Sequence, residues 1–369
     1  MNTTLLILLL LPLFIPIAAK FVGGNTFEWK VVPIVIVIST ILTVWMFYSG
    51  RGLKTLDTEI LNGEVTNKQR NKVSCSHSYP CNCRTSCSGS GNSRSCSTVC
   101  QTCYEHSYDV DWDVYSNIGG FTISREDQQG LREPKRWSIV ENGQPVARTN
   151  VYTNYVKAVP QSLFHANNAT ENAKFASQIP TYPIGVYDYQ YVDRVIPIGL
   201  SVPDLRQWNT DLALALRKLG PQKQANVVIV MVKNSDPNYA YALRDAWMNS
   251  KKNDIVVIFG VTEYPKIEWV RILSWTDKEL FKVQLRDELL ETKELDRTKV
   301  IPLISQHTMS TFHRKSMKDF AYLEAEIDPP EWMIYLLIGI LVIGNFGLAG
   351  VIRYDAMKRE LWRRRCYEA

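Results

Sequence analysis

The sequence contains none of the short motifs that identify the commonest nucleotide-binding and hydrolytic enzymes. The glycine patterns GxGxxG and GxxxxGK[ST], the zinc-protease motif HExxH and the serine-hydrolase motif GxSxG are all missing. No other complete catalytic set takes their place. The sequence therefore gives no support for a nucleotide ligand. It favours a non-enzymatic role. The alternative is an enzyme that lacks these motifs.

Charged residues are missing from three long stretches, at 2–19, 31–48 and 332–352. A helix needs about 20 apolar residues to cross a hydrocarbon core of ~30 Å. The third stretch is comfortably long and the first two are just long enough, although Pro12 and Pro16 interrupt the first. We predict two N-terminal transmembrane helices within residues 1–48 and one at 331–352.

A basic leader is also missing, because no Lys or Arg precedes Lys20. Secretory signal peptides carry positive charge ahead of their apolar region. We therefore predict that the first apolar stretch is an uncleaved membrane helix. A cleaved signal peptide is the alternative.

Basic residues cluster directly after the last apolar stretch, at Arg353, Lys358, Arg359, Arg363, Arg364 and Arg365. Lys and Arg close to a membrane helix mark its cytoplasmic side. The pattern predicts a cytoplasmic tail at 353–369 and an extracytoplasmic body at 49–330, in a multi-pass protein of the inner cell membrane. A basic tail beside a bilayer indicates lipid headgroups as its partner rather than nucleic acid.

Seven of the eight cysteines lie in one block, within the segment 49–103 that we assign to a linker and a Cys-rich region: Cys75, Cys81, Cys83, Cys87, Cys96, Cys100 and Cys103. His77 and His106 flank the block, and small polar residues such as Ser-Gly-Ser-Gly-Asn-Ser at 88–93 fill it. Such residues cannot bury a core, so cross-links must supply any order.

Three interpretations of the cysteine block stay open. Outside the cytoplasm clustered thiols form disulfides, and three disulfides would leave one cysteine over. The spacing Cys100-x2-Cys103-x2-His106 resembles half of a zinc site, so zinc is the runner-up. A thiol-rich loop without structure is the third interpretation. The predicted topology favours disulfides.

A β-rich unit is predicted at 104–200. Residues 108–115 alternate, so that Tyr108, Val110, Trp112 and Val114 share one strand face and Asp109, Asp111 and Asp113 the other. Same-face neighbours are ~7 Å apart, whereas Ca²⁺ draws its ligands to ~2.4 Å, so we expect a solvated face. Further strands are predicted at 121–124, 151–156 and within 182–200, separated by turns.

Helices and strands alternate from residue 201 onwards. A helix with Leu205, Trp208, Leu212, Leu216 and Leu219 on one face is predicted to end at Gly220-Pro221. Apolar strands are predicted at 226–232, 255–261 and 268–273, with a helix over 239–247 between the first two. Thr276 and Glu279 predict a capping box for the next helix, and Met309, Phe312, Met317 and Phe320 predict the last one. The fold class is therefore an α+β membrane protein.

The segment 201–326 resembles the TPM domain family. The resemblance rests on "ANVVIVMV", "YALRDAW", "KKNDIVVIFGV" and "EWVRIL", on the later "RDELL" helix and on the membrane helix that follows. The insert before this domain is similar to uncharacterised membrane proteins of large tailed phages. The family implies phosphatase activity, binding of Ca²⁺ or Mg²⁺, or assembly of membrane complexes.

An open α/β sheet binds ligands beyond the carboxyl ends of its strands, so the resemblance implies Asp236, Asp254 and Glu263 as metal ligands, although Asp254 precedes its predicted strand. For Asp236 a helix cap or Asx turn is the alternative. His307 and His313 are six residues apart and do not share a helix face, so we do not predict them as ligands.

The function predicted first is a membrane-anchored extracytoplasmic module that binds or assembles with another membrane or envelope protein. The alternatives are a divalent-metal phosphatase of TPM type and a thiol-redox or metal-binding membrane protein. Small residues let membrane helices approach closely. The recurring glycines Gly344, Gly347 and Gly350 therefore predict a packing face, either for the protein's own N-terminal spans or for a partner helix.

Overall fold

The structure is a computed structural model that describes residues 2–88, 95–159, 172–187, 189–191, 194–248 and 250–367. Residues 89–93 of the polar loop predicted inside the cysteine block lie outside the described residues. So do the last two residues of the basic tail.

The helices are α1 Thr3–Leu8, α2 Leu11–Gly23, α3 Val31–Thr55, α4 Lys135–Ser138, α5 Tyr155–Ala158, α6 Leu205–Lys223, α7 Tyr239–Ala246, α8 Glu279–Glu291, α9 Arg297–Thr311 and α10 Glu331–Tyr367. Short 3₁₀ helices form at Gly24–Thr26, Ala173–Gln178 and Met317–Glu326. The strands are β1 Leu56–Val73, β2 Ser78–Ser88, β3 Ser95–Tyr104, β4 Asp109–Ser116, β5 Phe121–Ile123, β6 Pro145–Thr153, β7 Val186–Tyr187, β8 Gln190–Tyr191, β9 Val195–Ile198, β10 Asn226–Val232, β11 Asp254–Gly260 and β12 Trp269–Ser274.

The chain forms two compact units. We call Met1–Thr58, Val151–Asn167 and Ser316–Ala369 the membrane unit, and Glu59–Asn150 and Asn168–Lys315 the sheet unit.

Three helices of the membrane unit are long and apolar enough to cross a bilayer: Thr3–Gly23, Val31–Thr55 and Glu331–Trp362. They cover the three uncharged stretches that predicted them, apart from Asn2 at the start of the first, and each helix is longer than its stretch. The first is broken at Leu9 and Leu10. Pro12 lies in the first turn of α2, where a proline costs no hydrogen bond. The predicted membrane association is therefore supported by the lengths and composition of these helices.

Consecutive membrane helices run in opposite directions through the membrane unit. Asn2 caps α1, and its Nδ2 atom also donates to Oδ1 of Asp328, 3.0 Å away and just ahead of α10. At the opposite end, Nη1 of Arg353 donates to the carbonyl oxygen of Val22, 3.3 Å away. The start of the first span therefore lies beside the start of the last span, and Arg353 lies beside the turn at 24–30.

The predicted glycine face is not where the helices of this unit meet. Gly344, Gly347 and Gly350 are exposed, and a Cβ added to any of them would have no neighbour within 4 Å. Ala349 is buried instead, and a Cβ placed on Gly23 would lie 3.4 Å from the Cβ of Ala349. The prediction that these glycines pack on the protein's own N-terminal spans is therefore wrong, because α2 approaches α10 on the face that carries Ala349.

One sheet of the sheet unit has the strand order β5-β4-β1-β6. β1 and β4 are antiparallel, with Val73 opposite Asp109. Val110, Trp112 and Val114 are buried, which confirms the predicted alternation along β4. The assignment of 49–103 to a linker and a cysteine block has to be corrected, because residues 56–73 form a long inner strand of this sheet.

The second sheet has the order β12-β11-β10-β9, in which β9, β10 and β11 are parallel and β12 is antiparallel. Every residue of β10 and β11 is buried, as expected for central strands covered on both faces. α6, α8 and α9 contribute to the core on one face and α7 to the core on the other. From α6 to α8 this layered α/β arrangement has the order of helices and strands that the sequence predicted. The predicted boundary at 200/201 has to be corrected, because β9 lies in the segment 104–200 that was assigned to the β-rich unit.

Three boundaries differ from the prediction. α6 continues through Pro221 to Lys223. Thr276 does not cap α8, which begins at Glu279, although its Oγ1 atom accepts a hydrogen bond from the N–H of Lys278. The predicted last helix does not form as one element, because α9 ends at Thr311 and a separate 3₁₀ helix covers Met317–Glu326.

Candidate functional site

β2 and β3 form a two-stranded antiparallel hairpin that three disulfides cross-link. The bonds join Cys81 to Cys103, Cys83 to Cys100, and Cys87 to Cys96, one inside the other. Almost every residue of the hairpin is exposed, so it has no apolar core of its own. An isolated hairpin is marginal in water, so the disulfides supply its order.

The predicted disulfide block is confirmed, with Cys75 as the cysteine left over. The half zinc site read from Cys100, Cys103 and His106 is wrong, because both of those cysteines are oxidised. His106 contacts other residues instead.

Four side chains with metal-binding chemistry meet at the base of this hairpin. Cys75 follows β1, His77 precedes β2, His106 follows β3 and Asp109 begins β4. One ligand atom from each lies within 4.8 Å of those of the other three. The chain passes from sheet to hairpin and back at this point, and so brings the four residues together. Within the described residues no other group of three or more His, Cys, Asp or Glu side chains gathers in this way.

The ligand atoms lie close together and Asp109 is at their centre. Sγ of Cys75 is 3.7 Å from Nδ1 of His106, and the same nitrogen is 3.3 Å from Oδ1 of Asp109. Nδ1 of His77 is 3.8 Å from Oδ2 of Asp109. Cys75 and Asp109 are buried, and the two histidines are half-buried.

Asp109 is fully buried. The backbone N–H of Ser76 donates to its Oδ2 atom at 3.0 Å, and Nη1 of Arg125 donates to the same oxygen at 2.8 Å. The hydrogen bond from Ser76 lowers the pKa of Asp109 the most, and the interactions with Arg125 lower it further. Together they hold this pKa well below its ordinary value in spite of burial. Arg125 also pairs with Asp111 at 2.7 Å. The expected solvated face of β4 is therefore wrong for Asp109.

The arrangement of the donors is convergent and does not form a proton relay. In a nucleophile–histidine–carboxylate triad the nucleophile and the acid contact opposite nitrogens of the imidazole ring. Here Sγ of Cys75 and Oδ1 of Asp109 both face Nδ1 of His106. Cys75 is therefore not placed as an activated nucleophile, and the four donors point towards a common centre.

The sequence names all four of these residues but does not bring them together as a group. Cys75 belongs to the cysteine block, His77 and His106 flank it, and Asp109 lies on the strand face that is expected to be solvated. A signal was present, because the pairs Cys75-x-His77 and His106-x2-Asp109 bracket the six cysteines that form the disulfides.

The structure does not bring together the carboxylates predicted to bind Ca²⁺ or Mg²⁺. Asp254 is the first residue of β11, whereas Asp236 and Glu263 follow the carboxyl ends of β10 and β11. These two strands are parallel, with Asn226 opposite Asp254. Seven residues at ~3.3 Å each place Asp254 about 20 Å along the strands from the other two. The three residues therefore cannot share one ion.

Each of the three carboxylates has a local role. Oδ1 of Asp236 accepts from the N–H of Asn238 at 2.9 Å and Oδ2 from Nζ of Lys174 at 2.8 Å, as expected for the turn that was the alternative. Glu263 is largely exposed and pairs with Lys266. His307 pairs with Glu288 at 2.9 Å and His313 is exposed, and neither belongs to a candidate metal group in the described part of the chain.

Asp254 is held inside the sheet unit by three donors. Its Oδ2 atom accepts from the Tyr182 hydroxyl and from the N–H of Lys251, both at 2.8 Å, and Oδ1 accepts from Nδ2 of Asn226 at 3.0 Å. Burial raises the pKa of Asp254 to about 6, because the hydrogen bonds offset only part of the cost of desolvation. This carboxyl group ties β11 to β10.

Comparison of the chain with protein-family models, curated proteins and solved structures gives no match.

Proposed function

We propose that this chain is a membrane-anchored extracytoplasmic protein that presents its disulfide-linked hairpin to a partner protein at the membrane surface. The observation that carries the proposal is the hairpin itself, which is cross-linked three times and buries almost none of its side chains. Disulfides persist in oxidising compartments and are rare in the cytoplasm. The hairpin therefore favours a body outside the cytoplasm.

The membrane unit supports the same orientation. The first and last spans begin at one end of this unit, and Arg353 lies at the other end. With the body outside, Arg353 and the basic residues after it lie on the cytoplasmic side. Lys and Arg close to a membrane helix are found mostly on that side. The charge pattern and the disulfides thus favour one topology for independent reasons.

The hairpin is suited to binding rather than to catalysis. It exposes three large side chains, Tyr79, Val99 and Tyr104, on a cross-linked backbone. Pre-organised surfaces lose little conformational entropy when they bind. We propose a membrane or envelope protein as the partner, and we propose a TPM-like identity for the α/β domain on the order of its helices and strands. The separation of the predicted carboxylates gives no support to the phosphatase alternative.

Cysteine labelling of intact cells tests the orientation. After mild reduction, a membrane-impermeant maleimide should label the six hairpin cysteines, whereas Cys366 in the tail should react only after lysis. Cys366 is thus the internal control. Labelling of Cys366 from outside, with the hairpin cysteines protected, would invert the topology and remove the proposal.

Photo-crosslinking tests the binding role. A photoreactive residue in place of Val99 on the hairpin should form a specific adduct with a membrane or envelope protein in living cells. The same residue in place of Leu280 on α8 is the matched control, because both positions are highly exposed. Equal adducts at the two positions would contradict a binding role for the hairpin.

A further inference from the structure

We propose that Cys75, His77, His106 and Asp109 bind one zinc ion at the base of the hairpin. This inference goes beyond the proposed function and does not depend on the orientation of the chain. Its first support is geometric. In a tetrahedral zinc site, bond lengths of ~2.0 Å to nitrogen and oxygen and ~2.3 Å to sulfur place neighbouring ligand atoms ~3.3 to ~3.5 Å apart. Nδ1 of His106 is 3.3 Å from Oδ1 of Asp109 and 3.7 Å from Sγ of Cys75, and the ligand atoms of all four residues lie within 4.8 Å of one another.

The types of ligand atom select the metal. Ca²⁺ and Mg²⁺ take oxygen ligands, six or more for Ca²⁺ and an octahedral set for Mg²⁺. The group at the hairpin base offers one thiol, two imidazoles and one carboxylate. Thiolate, imidazole and carboxylate are the ligands that Zn²⁺ takes in proteins, and four of them complete its preferred coordination.

One of the two carboxylate oxygens of Asp109 is available to bind a metal ion. Its Oδ2 atom is occupied by the N–H of Ser76 and by Arg125. Its Oδ1 atom is buried and accepts no well-formed hydrogen bond among the described residues, although the His106 ring and the Cys75 thiol are close. Buried polar atoms in native proteins nearly always have a partner. A metal ion between Oδ1, the thiol and the imidazoles would be that partner, and Arg125 would orient the carboxylate as outer ligands commonly do.

The proposed site is closed, and therefore structural. Catalytic zinc sites keep one position open for water, whereas structural sites use four protein ligands. An ion held by Cys75, His77, His106 and Asp109 would join the end of β1, both arms of the hairpin and the start of β4. It would also explain why one cysteine of the block has no disulfide partner, because coordination would occupy the Cys75 thiol.

Zinc titration of the full-length protein in detergent tests the proposal. After treatment with a chelator, the wild type should bind one equivalent of Zn²⁺. Cys75→Ser and His106→Gln should each lose at least ~100-fold in affinity, and Arg125→Gln should lose ~10- to 100-fold because it only positions a ligand. His313→Gln is the matched control, since this histidine is largely exposed and lies outside the group. Equal binding by all variants, or no binding by the wild type, would overturn the proposal.

X-ray absorption of the zinc-loaded wild type keeps the test independent of whether any variant folds. We expect one sulfur and three nitrogen or oxygen neighbours around the metal. A sulfur-rich shell or a shell of six oxygens would overturn the assignment. Preferential binding of Cu²⁺ with strong visible absorption would overturn zinc as the metal, because two imidazoles and one thiolate also suit copper.

Discussion

Reduction of the three disulfides should unfold the hairpin and leave the α/β core of the sheet unit folded. The two regions are stabilised in different ways. β2 and β3 are almost fully exposed, whereas every residue of β10 and β11 is buried. Apolar burial does not depend on the oxidation state of the cysteines, so only the hairpin should respond to the reductant.

The size of the effect follows from the loops that the disulfides close. The outer bond joins Cys81 to Cys103, which are 22 residues apart. Closing a loop of this length removes about 3 kcal/mol of chain entropy from the unfolded state, and the two inner bonds add less because they lie inside a closed loop. Loss of about 3 kcal/mol raises the open population of a segment by about a hundredfold. A two-stranded hairpin without an apolar core has no other interactions of this size to keep it folded.

Hydrogen exchange followed by mass spectrometry measures this prediction by segment. With reductant and chelator present, peptides from 78–88 and 95–104 should exchange at least about a hundredfold faster, and peptides from 226–232 and 254–260 should not change. The variant that carries Cys81→Ser and Cys103→Ser, which lacks only the outer bond, should show an intermediate increase. Continued protection of both hairpin peptides after full reduction would refute the reasoning, because contacts other than disulfides would then stabilise the hairpin.

Four further predictions concern the buried acid, two positions in the last membrane helix and the core. Since burial raises the pKa of Asp254 from 3.8 to about 6, the folded chain binds a proton in this window that the unfolded chain does not. Stability should therefore fall by up to about 3 kcal/mol as the pH rises through it, and thermal unfolding of Asp254→Asn should lack this pH-dependent loss. Ala349→Ile should lower the thermal stability of the detergent-solubilised protein because Ala349 is buried against α2. Gly347→Ile should leave that stability unchanged but weaken association with a partner helix in a membrane-helix pairing assay, and unchanged pairing would end that hypothesis. Phe259→Ala should cost about 3–5 kcal/mol in denaturant unfolding, whereas the exposed control Leu280→Ala should stay within ~0.5 kcal/mol.

Local pattern was enough to predict most of the elements of the chain. The apolar runs of β10 and β11, the alternation along β4 and the buried face of α6 all appear where the sequence placed them. Each depends on periodicity within one element, which neighbours in sequence express directly. The number of disulfides also followed, because seven clustered cysteines can form three pairs and leave one.

Only the tertiary structure decided what those elements bring together. Asp109, Asp111 and Asp113 look alike along β4, but only Asp109 is buried, between the N–H of Ser76 and the guanidinium of Arg125. Those two groups come from segments before and after β4, so periodicity within the strand cannot reveal them. The sequence does not distinguish Cys75 from the other six cysteines of the block. Strand pairing brings His77 and His106 close to it. In the same way, the glycines of α10 were visible in the sequence, but which helix face packs depends on the position of α2. Local physical chemistry thus determined the elements, and long-range contacts determined the site.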